Sequence, residues 1–130
     1  IGLMSGDSRQ PRHLQISEVS RGLKLCAKES NVAVIAVAQL NREVEKRPKK
    51  IPIMADLRDS GSIEQDADAI VLLYREDYYR PDETMRPNVA DVIIAKQRGG
   101  ETGTVELAWN GPSTRFDDLD RIHDDRGGWA

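Results

Sequence analysis

Three short apolar runs, Val32 to Ala38, Ala69 to Tyr74 and Val89 to Ala95, constrain this chain more than any other feature. The first has no polar member, so as a strand it needs cover on both faces. Each run ends in polar or basic groups: Gln39-Leu40-Asn41-Arg42, then Arg75, then Lys96-Gln97-Arg98 before Gly99-Gly100. Such strands describe an α/β sheet with its working edge at one end. Ahead of the first run, Ile16, Val19, Leu23, Leu25, Cys26 and Ala27 recur at helical spacing. That spacing predicts an amphipathic helix over about residues 13–30, terminated by Asn31. Cys26 falls on its apolar face and reads as a small buried hydrophobe. A helix followed by a buried strand is a crossover to a parallel neighbour.

The intervening segments carry the polar chemistry. Asn41 to Met54 is basic (Arg42, Lys46, Arg47, Lys49, Lys50) and broken by Pro48 and Pro52, so it reads as a mobile loop, either solvated or touching nucleic acid. Asp56 onward is a polar loop running into a short helix at 62–66, with Ser60 or Ser62 as its cap. Arg58, the nearby backbone N–H groups and Gly61, which permits close approach, can hold a single-strand phosphate. Asp59 would repel one, so its role is to orient Arg58 or bond a neighbouring loop. A plain helix cap beside a solvated arginine is the alternative. Glu64, Asp66 and Asp68 read as acids at a helix front. Residues 76–88 form a solvated loop. Thr104 to Trp109 alternates as an edge strand, Asn110-Gly111 signals a hairpin, and Ser113 to Phe116 returns.

A chain of 130 residues allows one domain, placed at 1–117, with an acidic, Gly-rich disordered tail at 118–130. A net charge of −3 gives no bulk attraction to nucleic acid, so local basic groups must supply any contact. One cysteine excludes an internal disulfide and a Cys-cluster metal site. There is no long apolar run or signal peptide, which reads as soluble, cytosolic and free of membrane. The two histidines lie far apart, and no nucleophilic triad, zinc spacing or carboxylate pair stands out.

Three segments, Ala38-Gln39-Leu40-Asn41-Arg42, Asp56 to Asp68, and Lys96-Gln97-Arg98 with Gly100, occur in an order and spacing with a known counterpart. They resemble the C-terminal motor domain of DnaB-type replicative DNA helicases, a ring-forming branch of the RecA-like ATPases, over about residues 14–117. The resemblance implies an α/β fold: the C-terminal portion of a RecA-like P-loop ATPase core, mainly parallel in sheet with an antiparallel edge hairpin. It implies that Gln39 senses the nucleotide state and that Arg58, Asp59, Ser60 and Gly61 form a central-channel DNA loop. It further implies that Lys96 and Arg98 reach a neighbouring subunit's ATP, Arg98 as an arginine finger, and that Arg75 and Trp109 lie near adenine-sandwiching positions. From the residues alone, other readings stay open. Gln39 can close a strand by bonding a loop carbonyl, Lys96 and Arg98 can project to one side and bond surface acids, and Trp109 can be an ordinary edge tryptophan.

No G-x-x-x-x-G-K-[ST] loop occurs, and Ile1-Gly2-Leu3-Met4 looks like the tail of the family's Asp-Tyr-x-x-Leu run. The expectation is a C-terminal piece, inactive alone. In the intact protein it would belong to a cytoplasmic homohexamer at the replication fork, using ATP and Mg²⁺ to unwind DNA by moving on a single strand. Primase and a helicase loader would be partners. A RecA-like recombinase is the second reading, against which the compact Leu57 to Ser62 loop argues; a non-enzymatic interaction module is the third.

Overall fold

A computed structural model describes residues 4, 11–57 and 61–119. The expectations for 1–3, for the loop at 5–10, for Arg58, Asp59 and Ser60, and for the tail from 120 lie outside those residues. Helix α1 (Arg12–Ser30) begins after Pro11, whose fixed φ suits a helix start. It ends where Asn31 adopts a left-handed conformation at φ 52° and ψ 46°, letting Val32 N–H donate to Ala27 C=O at 3.0 Å. This is the predicted terminator, and asparagine is among the few non-glycine residues that tolerate it. The packed stripe of α1 runs through Ile16, Ser20, Leu23 and Ala27 against α3 (Gly61–Asp66). Cys26 stands one step off that stripe and is exposed, contrary to the burial expected for it.

Strand β1 (Ala69–Arg75), the single-turn helix α4 (Glu76–Tyr79), β2 (Val89–Gln97), β3 (Gly103–Asn110) and β4 (Arg115–Asp118) follow. The strands form one sheet in the order β1-β2-β3-β4, with every pairing antiparallel. A mainly parallel sheet was expected; among the described residues none of the pairing is parallel. Its missing member is the 32–38 run, which lies outside this sheet, with Ile35 92% and Val37 80% exposed. Strand order is set by hairpin neighbours here, and a parallel partner needs a crossover that the described residues do not complete. Residues 76–79 were expected as loop and make a helical turn. The last hairpin is real, but its left-handed position falls on Thr114 (φ 51°) and not on Gly111. The return strand accordingly starts two residues later than predicted and reaches into the supposed tail.

The core is one-sided. Leu57, Ile70 and Leu72 are buried, with Leu40, Met54, Ile63, Ala67, Ile93 and Ala95 packed against them. The alternate residues of β1, Val71 and Leu73, are 52% and 57% exposed. Burying a side chain of this kind is worth about 1.5–3 kcal/mol. The bare face of the sheet and the 32–38 run therefore carry a large unrealised stabilisation.

Candidate nucleotide and nucleic-acid site

The segment containing Gln39 is tied to the one containing Arg58. Leu40 and Leu57 form an isolated antiparallel bridge, and both lie in the core cluster. Asn41 N–H donates at 2.7 Å to the C=O of Asp56, the last residue of a 3₁₀ turn at Met54–Asp56. That turn is fixed by the buried Asp56 carboxylate, which accepts from Ile53 N–H at 2.8 Å and from the Arg47 guanidinium. Gln39 itself is exposed, one residue from the bridge. The Gln39 segment is thus joined to Leu57, the last described residue before 58–60. Gly61 opens α3, so Ser62 lies inside the helix and is not its cap.

The basic loop is largely committed to its own fold. Lys46 pairs with Glu43 at 2.6 Å, Arg47 with Asp56, and Lys50 lies 5.0 Å over the Tyr79 ring. It includes a short helix, α2 (Glu43–Lys46), with Val44 buried. Lys46, Arg47 and Lys50 are thus held by partners within the chain.

At the end of β2, Lys96 lies opposite Ile70 and Gln97 opposite Ala69. Lys96 Nζ donates to Ala67 C=O at 2.8 Å and to Glu64 C=O, carbonyls at the C-terminal end of α3. Arg98 N–H donates to Asp68 C=O at 2.8 Å, and its Nη1 lies 3.1 Å from Asp68 Oδ1. Lys24 of α1 pairs with the other Asp68 oxygen. The hydrogen bond from Lys24, aided by the charges of Lys24, Arg98 and Lys96 and opposed by partial desolvation, holds the Asp68 carboxyl below its ordinary range. The two cations do share one end of the sheet, but here carbonyls and a carboxylate meet their charge. Sequence reading took Asp68 as a helix-front acid. It lies beyond the C-terminus of α3, and only the fold brings Lys24 and Arg98 to it.

The second cluster sits at the other end of β1. The Arg75 guanidinium lies 4.9 Å from the Trp109 ring centroid, and Trp109 packs on Phe116 at 4.8 Å. With Tyr74, Tyr78 and Tyr79 these line a cavity of about 230 Å³. Asp77, missed in the sequence, clips the arrangement together: it accepts from Arg75 Nε and from Asn88 N–H, both at 3.0 Å. Asn88 C=O in turn accepts Trp109 N–H at 2.7 Å. Burial pushes the Asp77 carboxyl up, but the hydrogen bonds and charge of Arg75 and the Asn88 N–H outweigh it and leave it below its usual value. Burial raises the Tyr74 and Tyr79 hydroxyls. A cation stacked on tryptophan beside tyrosines suits a planar, electron-rich base. Among the described residues no group of three His, Cys, Asp or Glu side chains can hold a metal, and no helix is long and apolar enough to cross a membrane.

Comparison with known proteins identifies the family. The family of DnaB-like helicase C-terminal domains matches residues 1–118. The chain is 51% identical over 123 residues to the replicative DNA helicase DnaC of Bacillus subtilis (strain 168), covering 95% of this chain and 27% of that protein. It is 50% identical over 121 residues to the replicative DNA helicase DnaB of Geobacillus stearothermophilus, covering 93% and 26%. The chain therefore spans about a quarter of the length of these relatives. Among solved structures, a DnaB-like replicative helicase described with its interactions with primase superposes with a TM-score of 0.85 at 47% identity, over 90% of this chain and 28% of that one. A separately solved ATPase domain gives the same score and identity, over 90% and 41%.

Proposed function

Because this chain belongs to the DnaB-like helicase C-terminal domain family, we propose that it is the C-terminal part of the motor of a replicative DNA helicase. The observation that carries the proposal is half identity to replicative helicases across nearly the whole chain. The intact protein is a cytoplasmic homohexameric ring that hydrolyses ATP and unwinds duplex DNA by moving along one strand. Its bare apolar surfaces, the outer face of β1 and the 32–38 run, are covered by the rest of the motor, where 32–38 joins a parallel sheet. Primase and a loader are its partners.

The residues fit a nucleotide better than they fit its metal. ATP supplies the phosphoryl group and Mg²⁺ the countercharge, and the Mg²⁺ ligands are proposed outside the described residues. Arg75 and Trp109 hold the base of one nucleotide, with Asp77 orienting the guanidinium. Lys96 and Arg98 face the phosphates of a nucleotide on a neighbouring protomer from the corner held by α3 and Asp68. There the Arg98 fork offsets charge that develops on the transferred group. Gln39 reads the phosphate state and passes it through the Leu40–Leu57 bridge to the loop at 58–60. In that loop Arg58 and Gly61 meet the DNA backbone, and Asp59 and Ser60 order the loop.

Arg98→Ala in the intact protein tests the central assignment. ATP hydrolysis should fall by about 10³-fold or more while hexamers still form. Hydrolysis and unwinding that survive in assembled hexamers rule the finger out. The strand-exchange and non-enzymatic alternatives draw no support from the helicase relatives.

A further inference from the structure

We propose that Asp68 is the positioning residue for Arg98, holding its guanidinium at the angle from which it reaches a neighbouring protomer's nucleotide. The inference rests on the finger role proposed for Arg98. Arg98 follows the last residue of β2, and its side chain is 60% exposed, so β2 by itself does not fix its direction. Asp68 fixes it twice. Its carbonyl anchors the Arg98 backbone N–H at 2.8 Å, and its Oδ1 meets Nη1 at 3.1 Å.

One contact of this kind orients a guanidinium without consuming it. The group carries five N–H donors in a planar fork, so Nε and Nη2 keep donors for phosphate oxygens. An aspartate beside a phosphate-seeking arginine would repel the phosphate, and Lys24 on the second oxygen offsets that charge. Lys96 braces the same corner from below by capping the carbonyls of Glu64 and Ala67. Asp68 is therefore a tether with its own countercharge. It touches neither nucleotide nor reacting atoms and acts only through Arg98.

Steady-state ATP hydrolysis by the intact protein, with a single-stranded oligonucleotide present, separates this from a structural role. Asp68→Ala and Asp68→Asn should each lower kcat by about tenfold, with KM for ATP moved less than about twofold, because the lost orientation matters in the transition state. Asp68→Glu should recover part of the rate. Adding Asp68→Ala to Arg98→Ala should cost nothing further, since both remove one element. Lys24→Ala, which removes the countercharge but leaves the tether, should lower kcat by about threefold, less than Asp68→Ala does, as expected for an exposed pair. An unimpaired Asp68→Ala beside an inactive Arg98→Ala overturns the tether and leaves the finger standing. A Lys24→Ala loss as deep as that of Asp68→Ala overturns it in favour of a general structural role. Normal hydrolysis by Arg98→Ala overturns both readings together.

Discussion

Replacing Arg86 by alanine should loosen the β2–β3 pairing by roughly 3 kcal/mol. In the register of that pair Asp91 lies directly opposite Glu106, an arrangement that is unfavourable for two carboxylates. Arg86 resolves it: Nη1 and Nη2 reach the two Asp91 oxygens at 3.2 and 2.6 Å, and Nη2 also reaches Glu106 Oε1 at 2.7 Å. The hydrogen bond to Asp91, and then the charges of Asp91, Glu106 and Glu76, raise the affinity of the guanidinium for its proton against the opposing effect of burial. Two carboxylate oxygens on one nitrogen stand about 5 Å apart, which at a surface dielectric gives a repulsion of about 3 kcal/mol once the cation is gone. Glu106 and Arg86 are each more than a third exposed, so solvent screening reduces this to about 1–1.5 kcal/mol. The lost charge-assisted bond to the mostly buried Asp91 adds about 1.5–2 kcal/mol.

Amide hydrogen exchange in the intact protein is the suitable assay, because it reads local opening without requiring two-state unfolding. The amides of residues 89–97 and 103–110 should exchange about a hundredfold faster in Arg86→Ala at neutral pH, after correction for intrinsic rates. Acid should relieve part of this. The two opposed carboxylates repel only while both are charged, so protonating either one removes that part of the destabilisation. Arg86→Lys should lie between the two, as a point charge cannot bridge both partners equally. Unchanged exchange across both strands, or a loss indifferent to pH between about 4 and 7, refutes the charge argument.

Two further outcomes follow from the site. Arg58→Ala should weaken single-strand binding and make its salt dependence shallower by about one phosphate contact, leaving DNA-independent hydrolysis near normal; unaltered affinity in a salt titration removes the loop from the interface. Asp77→Asn should raise KM for ATP about threefold to tenfold with kcat nearly kept, by loosening Arg75 over Trp109. The Asp77 carboxyl is held below its ordinary value, so its contribution is complete above that value and is lost as pH falls through the lower folded one. The stability gap between parent and Asp77→Asn should thus be constant at neutral pH and close only in strong acid; a gap that closes near pH 6 is inconsistent with this ionisation.

How far the sequence carried the reading depended on whether a signal was local. Helical periodicity and an asparagine suited to left-handed backbone located α1 and its end. Apolar runs located β1 and β2, and alternation located β3. Side-chain partners were not local. Asp68 meets Lys24 and Arg98 at separations of 44 and 30 residues, and Arg86 meets Glu106 across 20, so neither was visible as spacing. The described residues complete no parallel pairing for a related reason: an apolar run shows that cover is needed but not which segment supplies it. Cys26 went wrong because membership of an apolar face was read too broadly. The α1 stripe that packs is narrow, and α3, six residues long, covers no more than that stripe.

The two candidate clusters are too far apart to grip one nucleotide from the same protomer. β1 pairs with β2 so that Arg75 faces Ala90 while Ile70 faces Lys96, a separation of five residues or about 17 Å along the strand. They also lie on opposite faces. Arg75 shares the face of Val71 and Leu73, whereas Lys96 turns to α3, which packs over Ile70 and Leu72. On the proposed roles, a protomer built this way would present one cluster to its own nucleotide and the other to a neighbour's, the head-to-tail contact that a ring requires. Mixing two variants, each impaired at low ATP, tests it. In rings assembled from Trp109→Ala and Arg98→Ala protomers at equal amounts, about a quarter of the interfaces join an intact Trp109 to an intact Arg98, and hydrolysis should return toward that fraction. If both residues serve one nucleotide from one protomer, no mixed interface is whole and no activity returns.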